Sequence, residues 1–167
     1  MNRIYIAQKL FSVFEGFTVY NADGSVAYKV STSPLALTKT LVVRNPSGLK
    51  VGELKKTMVA LIPGWNLYIN GKKIGELHRD LSLFGPKMTL TGMRWTIKGN
   101  LTGWDYSVYS GSRRLGRISR QLWHLTDHYA IDFDSADDEL PLLLVVLGID
   151  AMNEEANQSN SSSSQSD

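Results

Sequence analysis

The chain has 167 residues and a formal charge of +2, with hydrophobic residues at 43% and charged residues at 20%. That composition supplies one packed domain and excludes a chain that is disordered throughout. The absence of cysteine excludes a disulfide framework, a thiolate metal site, an iron–sulfur centre and a cysteine nucleophile, and it fits a reducing compartment.

The opening segment, MNRIYIAQKLFS, is interrupted by Gln8 and Lys9 before its apolar run reaches the length of a signal-peptide core. No small-residue cleavage site follows, so no secretion signal and a cytoplasmic location are expected. From there to about residue 134 the sequence reads as short β segments broken by glycine turns. Four units superimpose: Phe17 to Gly24 running on to Tyr28, Leu41 to Gly48 running on to Leu54, Leu67 to Gly71 running on to Leu77, and Tyr106 to Gly111 running on to Ile118. Each is an apolar strand, a polar–glycine turn and a second apolar strand, the signature of a β-hairpin. A weaker unit surrounds Gly92.

Three of the second strands share a pattern of apolar, glycine, charged, apolar: VGEL at 51–54, IGEL at 74–77 and LGRI at 115–118. A period of two puts Gly52 with Leu54, Gly75 with Leu77 and Gly116 with Ile118 on one face. Glu53, Glu76 and Arg117 then face water. Glycine inside a strand marks close approach by another backbone, so these glycines are expected to line a space filled by a main-chain element.

The spare element lies near the C-terminus. Leu142 to Ile149 is an apolar run of eight residues, far short of the roughly 20 needed to span a membrane, and acidic residues flank it on both sides. Pro141 suits a first helical turn, and Asp137, Asp138 and Glu139 suit the positive end of a helix dipole. The run continues into Ala151, Met152, Glu154, Glu155 and Ala156, which favours a buried helix from Pro141 to Ala156 over a buried LLLVV strand. Asn157 to Asp167 has no large apolar residue and is expected to be a disordered tail. The reading is therefore mainly β: a closed antiparallel barrel of about 12 strands around a buried C-terminal helix, as one domain over 1–156. Two packed sheets with glycine-rich bulges are the alternative.

Ile6-Ala-Gln-Lys-Leu-Phe-Ser12, the hairpins, Pro63-Gly-Trp-Asn-Leu-Tyr68, His128-Tyr-Ala-Ile-Asp132 and the closing apolar run resemble the LURP-one-related family, whose bacterial branch is the YxjI-like proteins. The resemblance spans about residues 1 to 153. It implies a tubby-like fold, a twelve-stranded closed barrel around one hydrophobic helix, and a superfamily shared with phosphoinositide-binding tubby domains and phospholipid scramblases. No basic site of a tubby domain matches residue by residue, and the palmitoylation motif and calcium segment of scramblases have no counterpart.

Charge is strongly partitioned along the chain. The balance is +1 over residues 1–38, +11 over 39–123 and −10 over 124–167. A basic body points to anionic partners, either phospholipid headgroups or an acidic protein surface. The candidate anion-binding residues are Lys72, Lys73, Arg113, Arg114, Arg117 and Arg120, of which the first four sit on hairpin tips that project from one rim of a barrel. A peripheral membrane location follows if the tips converge; if the acidic stretch neutralises them, they only keep the edges soluble. Arg94, Trp95, Lys98, Trp104 and Tyr106 interleave base and aromatic as single-strand platforms do, yet aromatics are ordinary strand residues, and nucleic acid is disfavoured.

No catalytic or metal site is assigned, and no cofactor is expected. His124 and His128, with Asp132 and Asp134, share one face of a strand, but a spacing of four along a strand is roughly 13 Å, too far for one ion. A hydrolase built on His124 or His128 is the least favoured reading. The sequence has neither a G-x-S-x-G elbow nor a phosphate-binding G-x-x-x-x-G-K-[ST] loop.

Overall fold

The computed structural model describes residues 1–7, 16–33, 38–57, 64–80, 87–123 and 126–162. Its strands are β1 (Asn2–Ala7), β2 (Phe17–Asn21), β3 (Val26–Thr32), β4 (Thr40–Arg44), β5 (Lys50–Lys56) and β6 (Gly64–Ile69), then β7 (Lys72–Asp80), β8 (Lys87–Thr91), β9 (Trp95–Asn100), β10 (Asp105–Ser110), β11 (Arg113–Trp123) and β12 (Thr126–Phe133), followed by the helix α1 (Ala136–Ser162).

All twelve strands belong to one antiparallel sheet in the order β8-β7-β6-β5-β4-β3-β2-β1-β12-β11-β10-β9. Sequence neighbours pair throughout except β8 with β9, and β1 pairs with β12, Ile4 standing opposite Ile131. The result is the nearly closed barrel expected from the sequence. The single sheet excludes two packed sheets, although the bulges expected of that alternative are present inside the barrel wall.

Those bulges recur at one place in each repeated hairpin. The pairing slips so that Ala27, Val51, Ile74 and Leu115 stand as the extra residue. In three hairpins the glycine of the shared pattern follows immediately. Leu115 and Gly116 are both buried in succession, which a strict period of two forbids and a bulge allows. The glycine lets the wall turn two successive residues inward while only one of them carries a side chain.

The helix fills the barrel. Leu142 to Leu147 and Ile149 have no exposed surface, so α1 is apolar all round because wall surrounds it all round. Each such side chain contributes about 2 kcal/mol by leaving water. A methyl at Gly116 would stand 2.6 Å from Leu142 Cδ1, and one at Gly52 would stand 3.1 Å from Leu144 Cδ2. At these two positions leucine side chains of the helix, not its backbone, use the room. Gly75 departs from the expectation: its neighbours are the Thr91 carbonyl at 2.8 Å and the Met93 side chain, because the turn after β8 folds back onto β7. The helix backbone itself comes close at Gly148, where a methyl would meet Leu77 Cδ2 at 2.8 Å.

Both ends of the helix differ from the sequence reading. It begins at Ala136 rather than Pro141, since Ser135 caps it: the Asp137 N–H donates to Ser135 Oγ at 3.4 Å and the Asp138 N–H to the Ser135 carbonyl at 3.1 Å. Pro141 therefore lies inside the helix, where it removes one backbone bond. At the other end the backbone stays helical through Ser162, past Ala156. Extending a helix already nucleated inside the barrel needs only propagation, one bond per residue. Lys56 holds Glu155 at 3.0 Å, and the Asn153 amide donates to the Leu101 carbonyl at 3.3 Å, fixing the helix where it leaves the wall.

Candidate functional site

Strands that alternate in direction send every second connection to the same rim. The tight turns after β2, β4, β6, β8 and β10 share one end of the barrel, together with the link from β12 into α1. Gly24, Gly48, Gly71, Gly92 and Gly111 all sit in these turns with φ between 60° and 87°, a conformation other residues rarely hold. Asn70 and Gly71 both have positive φ, which fits the two-residue turn whose twist matches the flanking strands.

Three consecutive tips on this rim are basic. Lys72 and Lys73 follow the β6–β7 turn, Arg94 lies in the β8–β9 turn, and Arg113 and Arg114 follow the β10–β11 turn; all five are exposed. The acidic start of α1 shares the rim. Asp138 lies 3.3 Å from Arg113, and Lys73 donates to Glu76 at 3.0 Å. Among the described residues, Lys72 and Arg114 enter no ion pair. Glu139 bonds Tyr28, whose phenol is pushed up first by burial and then by that carboxylate.

The other two candidates lie apart from the tips. Arg117 is on the outer face of β11, 3.2 Å from Asp105, and Arg120 lies toward the opposite rim. Seven residues of strand separate Arg113 from Arg120, roughly 23 Å. The six residues thus divide into a rim group and a flank group.

The flank group has neighbours that the sequence reading passed over. Across three strands, Arg3, Asp132 and Arg117 form one rung, each directly opposite the next. The next outward rung is Tyr5, Ala130, Ser119 and Asp105. Arg3 grips Asp132 with two donors, Nε and Nη2, the latter at 2.9 Å, and this bond to Asp132 raises its already high pKa.

Of the other sequence candidates, Trp104 and Tyr106 are core residues. Trp104 stacks on Tyr129 with ring centres 3.9 Å apart, so two aromatics of the suggested nucleic-acid platform lie inside the barrel. His128 stands half-buried on β12, and His124 lies outside the described residues. Among the described residues no cluster of three metal-ligating side chains occurs.

A twelve-stranded wall with bulged hairpins around an apolar terminal helix defines a class by architecture alone. The chain belongs to the LURP-one-related family, whose sequence profile matches residues 2–150. It is 24% identical over 150 residues to the uncharacterized protein YxjI of Bacillus subtilis (strain 168), covering 90% of this chain and 93% of that one. It also resembles a protein of Arabidopsis thaliana solved by X-ray crystallography, with a TM-score of 0.63, 18% identity, and coverage of 90% and 91%. That likeness concerns the fold. Among the described residues no helix is long and apolar enough to cross a membrane.

Proposed function

We propose that this protein is a non-enzymatic binding module for anionic surfaces, phospholipid headgroups above all, acting in the cytoplasm and peripherally at the membrane. One observation supports the reading: Lys72, Lys73, Arg113 and Arg114 occupy exposed tips of a single rim, with Arg94 on the tip between them. A basic residue near an anionic surface contributes about 1 kcal/mol. Glu76 and Asp138 already hold Lys73 and Arg113, so the contact is weak, reversible and sensitive to salt. With the barrel centre taken up by α1, recognition falls to the outer surface.

Sedimentation with vesicles tests the proposal. At low salt the protein should pellet with vesicles containing phosphatidylserine or phosphatidic acid and stay free of phosphatidylcholine vesicles. Serine at Lys72, Lys73, Arg113 and Arg114 together should abolish the effect. Failure to pellet at low salt overturns the reading, and binding that survives the fourfold substitution overturns the assignment to the tips.

A further inference from the structure

A depression of about 450 Å³ opens on the outer wall over β10, β11, β12 and β1, well away from the hairpin tips. Its position follows from the rungs. Ala130 and Ser119 are small and stand side by side across the ladder, while Arg3 and Arg117 flank them one rung away. Ala130 is fully covered, and the depression opens beside it over Ser119, bordered by long polar side chains.

Donors dominate the lining. Arg3 and Arg117 border it together with Ser119 and Gln121, whereas Arg120, which also touches its edge, shares the side of β11 that carries Ile118 and stands opposite Tyr129. The Gln121 amide donates to Ser119 Oγ at 2.9 Å, which leaves that hydroxyl's own proton to point outward. Asp132 and Asp105 are the two carboxylates in the lining. Asp132 occupies two of the five N–H donors of Arg3. Asp105 holds Arg117 by one contact of 3.2 Å between half-exposed partners, a type of pair worth little in water and easily exchanged for a better acceptor.

The backbone beside the depression is held in an uncommon conformation. Trp104 has φ of 56°, costly for a bulky residue, and its stacked ring lies inside the wall. Gly103 and Asp105 on either side of it line the depression. The left-handed turn thus anchors inside and presents its flanks outside.

We propose that this depression binds a phosphate-type oxyanion, with Arg117 supplying charge, Ser119 and Gln121 supplying neutral donors, and Arg3 contributing its remaining N–H groups. The anion replaces Asp105 as the acceptor for Arg117, a fork-shaped donor that matches tetrahedral oxygens better than it matches one distant carboxylate oxygen. This site is independent of the rim: it draws on different residues and stands whether or not the tips bind lipid.

Backbone amide NMR during titration with inorganic phosphate tests it. Saturable shifts are expected at Asp105, Ser119 and Gln121. Arg117→Gln should weaken binding about tenfold, the loss of one charged hydrogen bond, whereas Arg120→Gln, on the other face of β11, and serine at Lys72 and Arg114 should leave it unchanged. Arg3 is kept intact because it ties β1 to β12. Competition with phosphatidic acid vesicles then separates the sources: displacement from vesicles by phosphate assigns a lipid phosphomonoester, and indifference assigns a soluble one, each in support of the site. Absence of saturable shifts, or undiminished affinity in Arg117→Gln, overturns it.

Discussion

Replacing Asp150 with asparagine should stabilise the fold by an amount that grows with pH. Asp150 lies on α1 with 9% of its surface exposed, and its Oδ2 is enclosed without a hydrogen-bond partner. Burial first, then the Glu154 carboxylate, raise its pKa to about 8, with Lys39 pulling the other way. The phenol of Tyr106 is enclosed as well and is pushed up by burial and by Asp150. In the unfolded chain the carboxyl returns to about 3.8. Between those values the folded state keeps a proton that the unfolded state has released. Stability is therefore fully present below about pH 4 and falls as pH rises, by about 1.4 kcal/mol per unit, until it levels off near pH 8. At pH 7 this amounts to about 4 kcal/mol. Asparagine matches the protonated carboxyl in size and does not ionise, so Asp150→Asn should recover that amount near neutrality and almost nothing near pH 4. Urea unfolding of both proteins at several values between about pH 5 and pH 8 reads the difference. Parallel stability curves would refute the reasoning, whatever their vertical offset.

Three further outcomes follow from the geometry. Gly116→Ala sets a methyl against Leu142 and, at 2.8 Å, against the Asp132 carbonyl, backbone that cannot yield; it should cost about 2 kcal/mol in urea unfolding. Gly52→Ala meets chiefly the flexible end of Leu144 and should cost less than about 1 kcal/mol. Asp138→Asn releases Arg113 from its partner and should strengthen low-salt adsorption to anionic vesicles about fivefold, the value of roughly one more basic residue; unchanged adsorption would show that the acidic start of α1 does not restrain the rim.

Hairpins were legible in the sequence because their information is local: an apolar strand, a turn glycine and a second strand lie within about a dozen residues. The bulges left a readable trace too. Val51-Gly52, Ile74-Gly75 and Leu115-Gly116 each put two residues without polar side chains in succession, where alternation asks for a polar one. Pro141 misled the reading of the helix start, because the cap is chemical and was carried by Ser135 instead. The flank site was not legible. Arg3, Asp132 and Arg117 meet only through the register of three strands, and β1 joins β12 across nearly the whole chain, a pairing no local pattern announces. Spacing did indicate that Lys72 and Arg113 belong to tips, and common strand direction put those tips on one rim. Which carboxylates would meet them depended on where the helix begins.

The seal between β1 and β12 also governs the order of events at the ribosome. The first strand emerges long before its partner, and the segment that fills the interior emerges after all twelve strands. Until then the wall is an open curl with leucines on its inner face and a bare edge at β1, a form prone to pair with other chains. Productive closure must follow release of α1, and such long-range pairing folds slowly. Chains cut short before Leu142 should consequently fail by aggregation rather than persist as an empty barrel.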